Sequence, residues 1–100
     1  MRQKMLFGLF KKSDIQSHIN KIKELLNCTE EDAKEIGELF KKLIPGQIKD
    51  IVREDDNVGI VMYVYNSIGD KYIVDVTRDF IVEDIYKNDR DGERVYFVMF

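Results

Sequence analysis

Two runs in the C-terminal half of the chain, Ile60-Val61-Met62-Tyr63-Val64-Tyr65 and Val95-Tyr96-Phe97-Val98-Met99-Phe100, are apolar at every position. Successive side chains of a strand point to opposite faces, so strands like these offer an apolar set to each side. A sheet built from them needs cover on both faces. That requirement constrains the architecture more than any other feature of the chain.

The surrounding sequence supplies such a sheet. Runs rich in β-branched and aromatic residues, Val58–Tyr65, Lys71–Thr77, Phe80–Tyr86 and Arg94–Phe100, are separated by the turn-like clusters Asn66-Ser67-Ile68-Gly69-Asp70, Arg78-Asp79 and Lys87–Glu93. Runs of this length between such punctuation read as an antiparallel meander. Gln47–Arg53 reads as a first strand, followed by a turn at Glu54–Asn57. Alternation sorts Ile60, Met62, Val64, Tyr72, Val74 and Val76 onto one face and Val61, Tyr63, Tyr65 and Ile73 onto the other. Both sets are apolar, so alternation alone does not say which face meets the rest of the protein.

Two helices precede the sheet. Ser13-Asp14-Ile15-Gln16 is a capping-box pattern, and Ile15, His18, Ile19, Ile22, Leu25 and Leu26 then recur at helical spacing, predicting a helix over 14–27 that ends at Asn27. Thr29 is placed to cap a second helix. Glu30, Glu31 and Asp32 follow in its first turn, Ala33, Ile36, Leu39, Phe40, Leu43 and Ile44 form its apolar face, and Pro45-Gly46 stops it. Cys28 and Ala33 occupy the positions of a hydrophobic staple, and Glu30–Lys34 and Glu38–Lys42 are spaced to pair on the solvent side. So short a link requires an αα-hairpin. Gly37, four residues after Ala33, leaves a small patch where another element can approach closely. The expected fold is a single α+β domain over 1–100, an N-terminal helical hairpin packed on a four- to five-stranded antiparallel meander.

Charge is unevenly placed. Residues 1–12 carry four basic and no acidic groups, whereas residues 47–100 carry seven basic against twelve acidic ones, within a net charge of −3. An acidic sheet half is a poor surface for nucleic acid. The lone Cys28 cannot form an internal disulfide and fits a reducing compartment, so a cytoplasmic location is expected. Near the N-terminus, the apolar Met5–Phe10 is shorter than the core of a signal peptide, and no small-residue cleavage site follows it. Because Leu6, Phe7, Leu9 and Phe10 need burial, this segment reads as an element docked on the sheet rather than a membrane anchor.

Chemistry-bearing residues are sparse. His18 and Cys28 are separated by ten helical residues, about 15 Å along the axis, too far to form a nucleophile pair. One histidine and one cysteine do not make a zinc site. Asn88-Asp89-Arg90-Asp91-Gly92-Glu93 resembles a calcium loop, but in that register the first and twelfth ligand positions fall on Lys87 and Val98, so a hairpin turn is the better reading. Asp75, between Val74 and Val76, is the one carboxylate within a strand that invites an acid–base role, and it is expected on a solvated face. Neither metal nor cofactor is expected.

These absences predict a non-catalytic protein-interaction module that regulates, inhibits or neutralises a protein partner. Its expected interface is Tyr63, Tyr65, Tyr96, Val98 and Phe100, with a two-fold homodimer through the same face. The alternative is a small-molecule binding domain with a pocket between sheet and helices lined by Tyr63, Tyr65 and Tyr72.

Overall fold

In the computed structural model, residues 15–99 are described; the expected capping box at Ser13, the Met5–Phe10 segment and Phe100 lie outside them. Helix α1 covers residues 15–26 and helix α2 Glu30–Leu43. Five strands follow: β1 Ile48–Arg53, β2 Ile60–Asn66, β3 Lys71–Val76, β4 Val82–Asn88 and β5 Arg94–Met99. They form one sheet in the order β1-β2-β3-β4-β5, every neighbour antiparallel. The expected α+β arrangement, with helices N-terminal to a meander, is what the chain adopts. No described helix is long and apolar enough to cross a membrane.

Local signals set the helix ends. Asn27 takes a left-handed conformation (φ 54°), reversing the chain after α1. Thr29 is extended, and its hydroxyl accepts from Asp32 N at 3.2 Å, which satisfies one of the free amides of α2. At the other end Ile44 N still donates to Phe40 O, and Gly46 (φ 74°) turns the chain into β1. On the charged side, Glu30 faces Lys23 of α1 (Nζ–Oε1 3.9 Å) rather than Lys34 of its own helix.

The helices cover the face formed by Ile51, Ile60, Met62, Val64, Tyr72, Val74, Val76, Val82 and Ile85, burying it against Ile19, Ile22, Leu26, Ala33, Ile36, Phe40 and Ile44. Gly37 is what lets the helices close on each other. A Cβ built there would lie 3.3 Å from Ile19 Cγ1 and 3.6 Å from Ile22 Cδ1, so the close approach is of α1 side chains rather than of another backbone. Two polar hubs tie the ends of this core. Arg53 donates through one guanidinium nitrogen to Leu25 O at the end of α1 and through two others to Asp55, whose carboxyl this contact holds below the usual range. Asn66, buried, donates to Pro45 O and accepts from Ile68 N and Asp70 N, joining the β2–β3 turn to the end of the helical hairpin.

Boundaries differ from expectation most at three places, one being the end of β4, which runs two residues past Tyr86 to Asn88. The turn after β3 is wider than Arg78-Asp79: Thr77 Oγ accepts from Asp79 N and Ile81 N, and Phe80 sits at φ 65°. A bulky residue in the left-handed region cannot continue a strand, so β4 starts at Val82. Val58, expected at the start of a run, belongs to the preceding turn, where Asp56 Oδ1 accepts from Val58 N and Gly59 N.

Candidate interaction face and its carboxylate pair

The face turned away from the helices is built differently. Register places Val52 of β1 opposite Tyr63 of β2, Tyr63 opposite Ile73 of β3, Ile73 opposite Tyr86 of β4, and Tyr86 opposite Tyr96 of β5. These five residues form one continuous cross-strand row across the whole sheet. Its middle is buried among its own neighbours, with Val61, Ile73, Tyr86 and Tyr63 packed in a cluster that contains no helix residue. The ends are open: Val52 is 36% and Tyr96 41% exposed.

Charge flanks the row on both sides. Toward one end of the strands stand Lys71, whose ammonium lies 4.6 Å from the Tyr63 ring centroid, and Arg94, whose guanidinium lies 4.6 Å from that of Tyr86 and donates to the Tyr96 hydroxyl at 3.3 Å. Such stacking holds a cation over a ring while leaving its outer side to solvent. Toward the other end Asp75 and Asp84 stand directly opposite each other on β3 and β4.

A bulge creates that acidic pair. Val76 pairs with Val82, but Asp75 pairs with Asp84, so the extra residue Glu83 is passed over and two carboxylates face one another. The Asp75 carboxyl is pushed up to about 6: burial disfavours the charged form, the Asp84 carboxylate competes for the same proton, Asp56 adds like charge, and Arg94 partly opposes them. Asp84 Oδ1 is buried and receives no hydrogen bond from an N–H group. Tyr86 beside the pair is likewise pushed up, first by burial and then by Asp75. A shallow cavity of about 350 Å³ opens here, lined by Asp56, Asp75, Glu83, Asp84, Tyr86 and Arg94 among others.

The residues expected to carry the interface divide as follows. Tyr63, Tyr65 and Tyr96 all lie on the outer face, Tyr63 and Tyr65 on β2 and Tyr96 three strands away on β5. Val98 contributes backbone to β5 opposite Ile85, and Phe100 lies outside the described residues. Val52, Ile73 and Tyr86 complete the row. Alternation already places Ile73 on the face of Tyr63 and Tyr65, whereas Tyr86 depends on the bulge. Tyr72 faces the helices and is fully buried, so Tyr63, Tyr65 and Tyr72 do not line one pocket.

The remaining candidates have structural occupations. Cys28 packs at the edge of the core, its thiol pushed up by burial and then by Asp32. His18 borders a cavity of about 460 Å³ between α1 and the start of β1, with Ile15, Lys41, Gly46, Gln47, Ile48 and Lys49. The calcium-like segment is a hairpin turn: Asp89 Oδ1 accepts from Asp91 N and Glu93 N, and Gly92 adopts φ 82°. Asp75, expected on a solvated face, does point away from the helices, but half-buried and opposite a second carboxylate. No family model, curated protein or solved structure matches this chain.

Proposed function

We propose that this chain is a small non-catalytic protein-interaction module of the cytosol that regulates, inhibits or neutralises a protein partner through the outer face of its sheet. The observation that carries the reading is the continuous row Val52–Tyr63–Ile73–Tyr86–Tyr96 on a face that neither helix covers, open at both ends and flanked by charge. Aromatic residues and arginine are the side chains most enriched where proteins bind one another, because they combine large contact area with few rotatable bonds or with directed hydrogen bonding.

The test is comparative. Immobilised wild-type protein, a Tyr65→Lys/Tyr96→Lys variant and a Glu35→Lys variant on the exposed side of α2 are each exposed to native cytosol. A partner retained by the wild type and the helix variant but lost from the sheet variant is the expected result. Equal capture by all three overturns the assignment of the outer face.

A second reading has its own observation. The cavity beside His18 has the volume of a small-molecule pocket and apolar walls from Ile15 and Ile48. A thermal-shift screen with small molecules tests it: a specific ligand raises the melting temperature by mass action, and Gln47→Trp, which adds bulk on the cavity wall, should abolish that rise.

A further inference from the structure

We propose that the outer face is occupied by a second copy of this chain, related by a two-fold axis along the aromatic row, so that Asp75 of each protomer stands over Lys71 of the other, with Asp84 beside it. The inference rests on the reading of the outer face as an interaction surface and names the partner it fits.

The register carries the argument. On β3, Ile73 of the row lies midway between Lys71 and Asp75, two residues from each. On β4, Tyr86 lies two residues from Asp84 and two from Asn88, and Asn88 is opposite Arg94. By register the β3 and β4 part of the face therefore has three bands, the carboxylates Asp75 and Asp84, the row, and the side of Lys71 and Arg94, whose guanidinium reaches back over Tyr86. A two-fold axis lying in the face and running along the central band leaves positions along the band unchanged and inverts positions along the strands. It lays the carboxylate band of one copy over the cation band of the other and sets each row residue against its own counterpart. The other in-plane two-fold axis, parallel to the strands, would lay carboxylates over carboxylates. Charge complementarity selects the first.

Sheets pack face to face about 10 Å apart, a gap that Tyr65 and Tyr96, both exposed, reach into from each copy. The exception is Asp50 of β1, which stands on the cation side; its carboxylate already accepts from Ile51 N at 2.9 Å and lies at the open edge of the sheet, where solvent screens it.

Sedimentation equilibrium of the full chain at micromolar concentration should give twice the 11.8 kDa of one chain. Lys71→Glu and Asp75→Lys should each raise the dissociation constant at least tenfold. An equimolar mixture of the two variants should restore the dimer, because in the mixed pair both 71–75 contacts join opposite charges. Cross-linking is independent of those charges. In a Cys28→Ser background, Val52→Cys and Tyr96→Cys at opposite ends of the row should each link to its own copy through a short bis-maleimide. An axis parallel to the strands would separate each from its counterpart by the row's length, about 19 Å for five strands. A wild-type mass of one chain overturns the proposal and leaves the outer face to a different protein, or to residues 1–12 in cis, with the capture comparison still deciding the broader reading. A dimer that survives both charge reversals, or that links at neither end of the row, overturns the axis.

Discussion

The sheet face under the helices is aliphatic apart from Tyr72 and continuous with the helices' own apolar stripes, whereas the face turned away carries Tyr63, Tyr65, Tyr86 and Tyr96 and is bordered by charged side chains. Both belong to the same five strands, and in β2 they alternate residue by residue: Ile60, Met62 and Val64 on one side, Val61, Tyr63 and Tyr65 on the other. Aliphatic side chains pack to crystal-like density and gain most of their stabilisation from exclusion of water. Aromatics with cations stacked on them keep polar rims and edges that a second surface can use. The difference separates the residues that make the fold from those available to a partner.

The strongest way to break that separation is to truncate a large side chain on each face. Phe40 is fully buried between α2 and the sheet, and Phe40→Ala should lose about 3–5 kcal/mol of unfolding free energy in urea titrations. Tyr96, 41% exposed, contacts Tyr86 at 5.3 Å between ring centroids. Tyr96→Ala should lose less than about 1.5 kcal/mol in dilute solution. Comparable losses would mean that both faces serve stability alike.

Asn66 sharpens the comparison, because it is the polar group on which the helix side depends. Its amide joins Pro45 O to the amides of Ile68 and Asp70. Asn66→Ala leaves three backbone groups without their partner and should lose about 2–3 kcal/mol. Asn66→Asp keeps both acceptor contacts and, at acid pH where its protonated carboxyl can donate to Pro45 O, should lose less. If the two variants unfold at the same denaturant concentration, the hub is not what closes this end of the core.

Much of this division was legible in the sequence. Helical spacing, the Thr29 cap and the Pro45-Gly46 stop marked the hairpin, and β-branched runs with turn clusters marked the meander. The two alternating sets of β2 and β3 were correct as sets. The set holding Tyr63 and Tyr65 also holds Lys71 and Asp75, and that charge was the available sign that it faces away from the helices. What could not be read depended on irregular backbone. Nothing in Arg78-Asp79-Phe80 announces that Phe80 turns left-handed, so β4 begins two residues later than its run of residues predicts. A regular ladder from Val76–Val82 would set Asp75 against Glu83, and only the bulge brings Asp84 opposite it. Asn66 in a turn cluster likewise looks like ordinary turn chemistry until the helical hairpin folds back to within reach of it.

Gly37 tests the helix side at smaller amplitude. Gly37→Leu must push against Ile19 and Ile22 and should lose about 1–3 kcal/mol. Gly37→Ala should fall near zero, because a helix-propensity gain of about 1 kcal/mol offsets a 3.3 Å contact that Ile19 relieves by a slight shift. A neutral leucine variant would place that helix face away from α1.

The smallest effect belongs to the outer face and is read by pH. The Asp75 carboxyl sits at about 6 in the folded protein, above its ordinary 3.8. Between these values the folded chain holds a proton that the unfolded chain releases. The pair's contribution to stability is therefore fully present below pH 4 and is lost as pH rises toward 6. Asp55 and Asp56, held low by Arg53 and by the Gly59 and Val58 amides respectively, slope the other way, so the total profile does not isolate the pair. The difference between wild type and Asp84→Asn does. Removing Asp84's charge relieves the repulsion on ionised Asp75, so the variant should gain on the wild type as pH rises from 4 to 7. Solvent screening at a half-buried pair holds the gain to the order of 1 kcal/mol. Melting temperatures of both proteins across that range check it in dilute solution. A difference that stays flat with pH would show that the two carboxylates share no proton, and that the outer face is charged on its acidic side at every pH the protein meets.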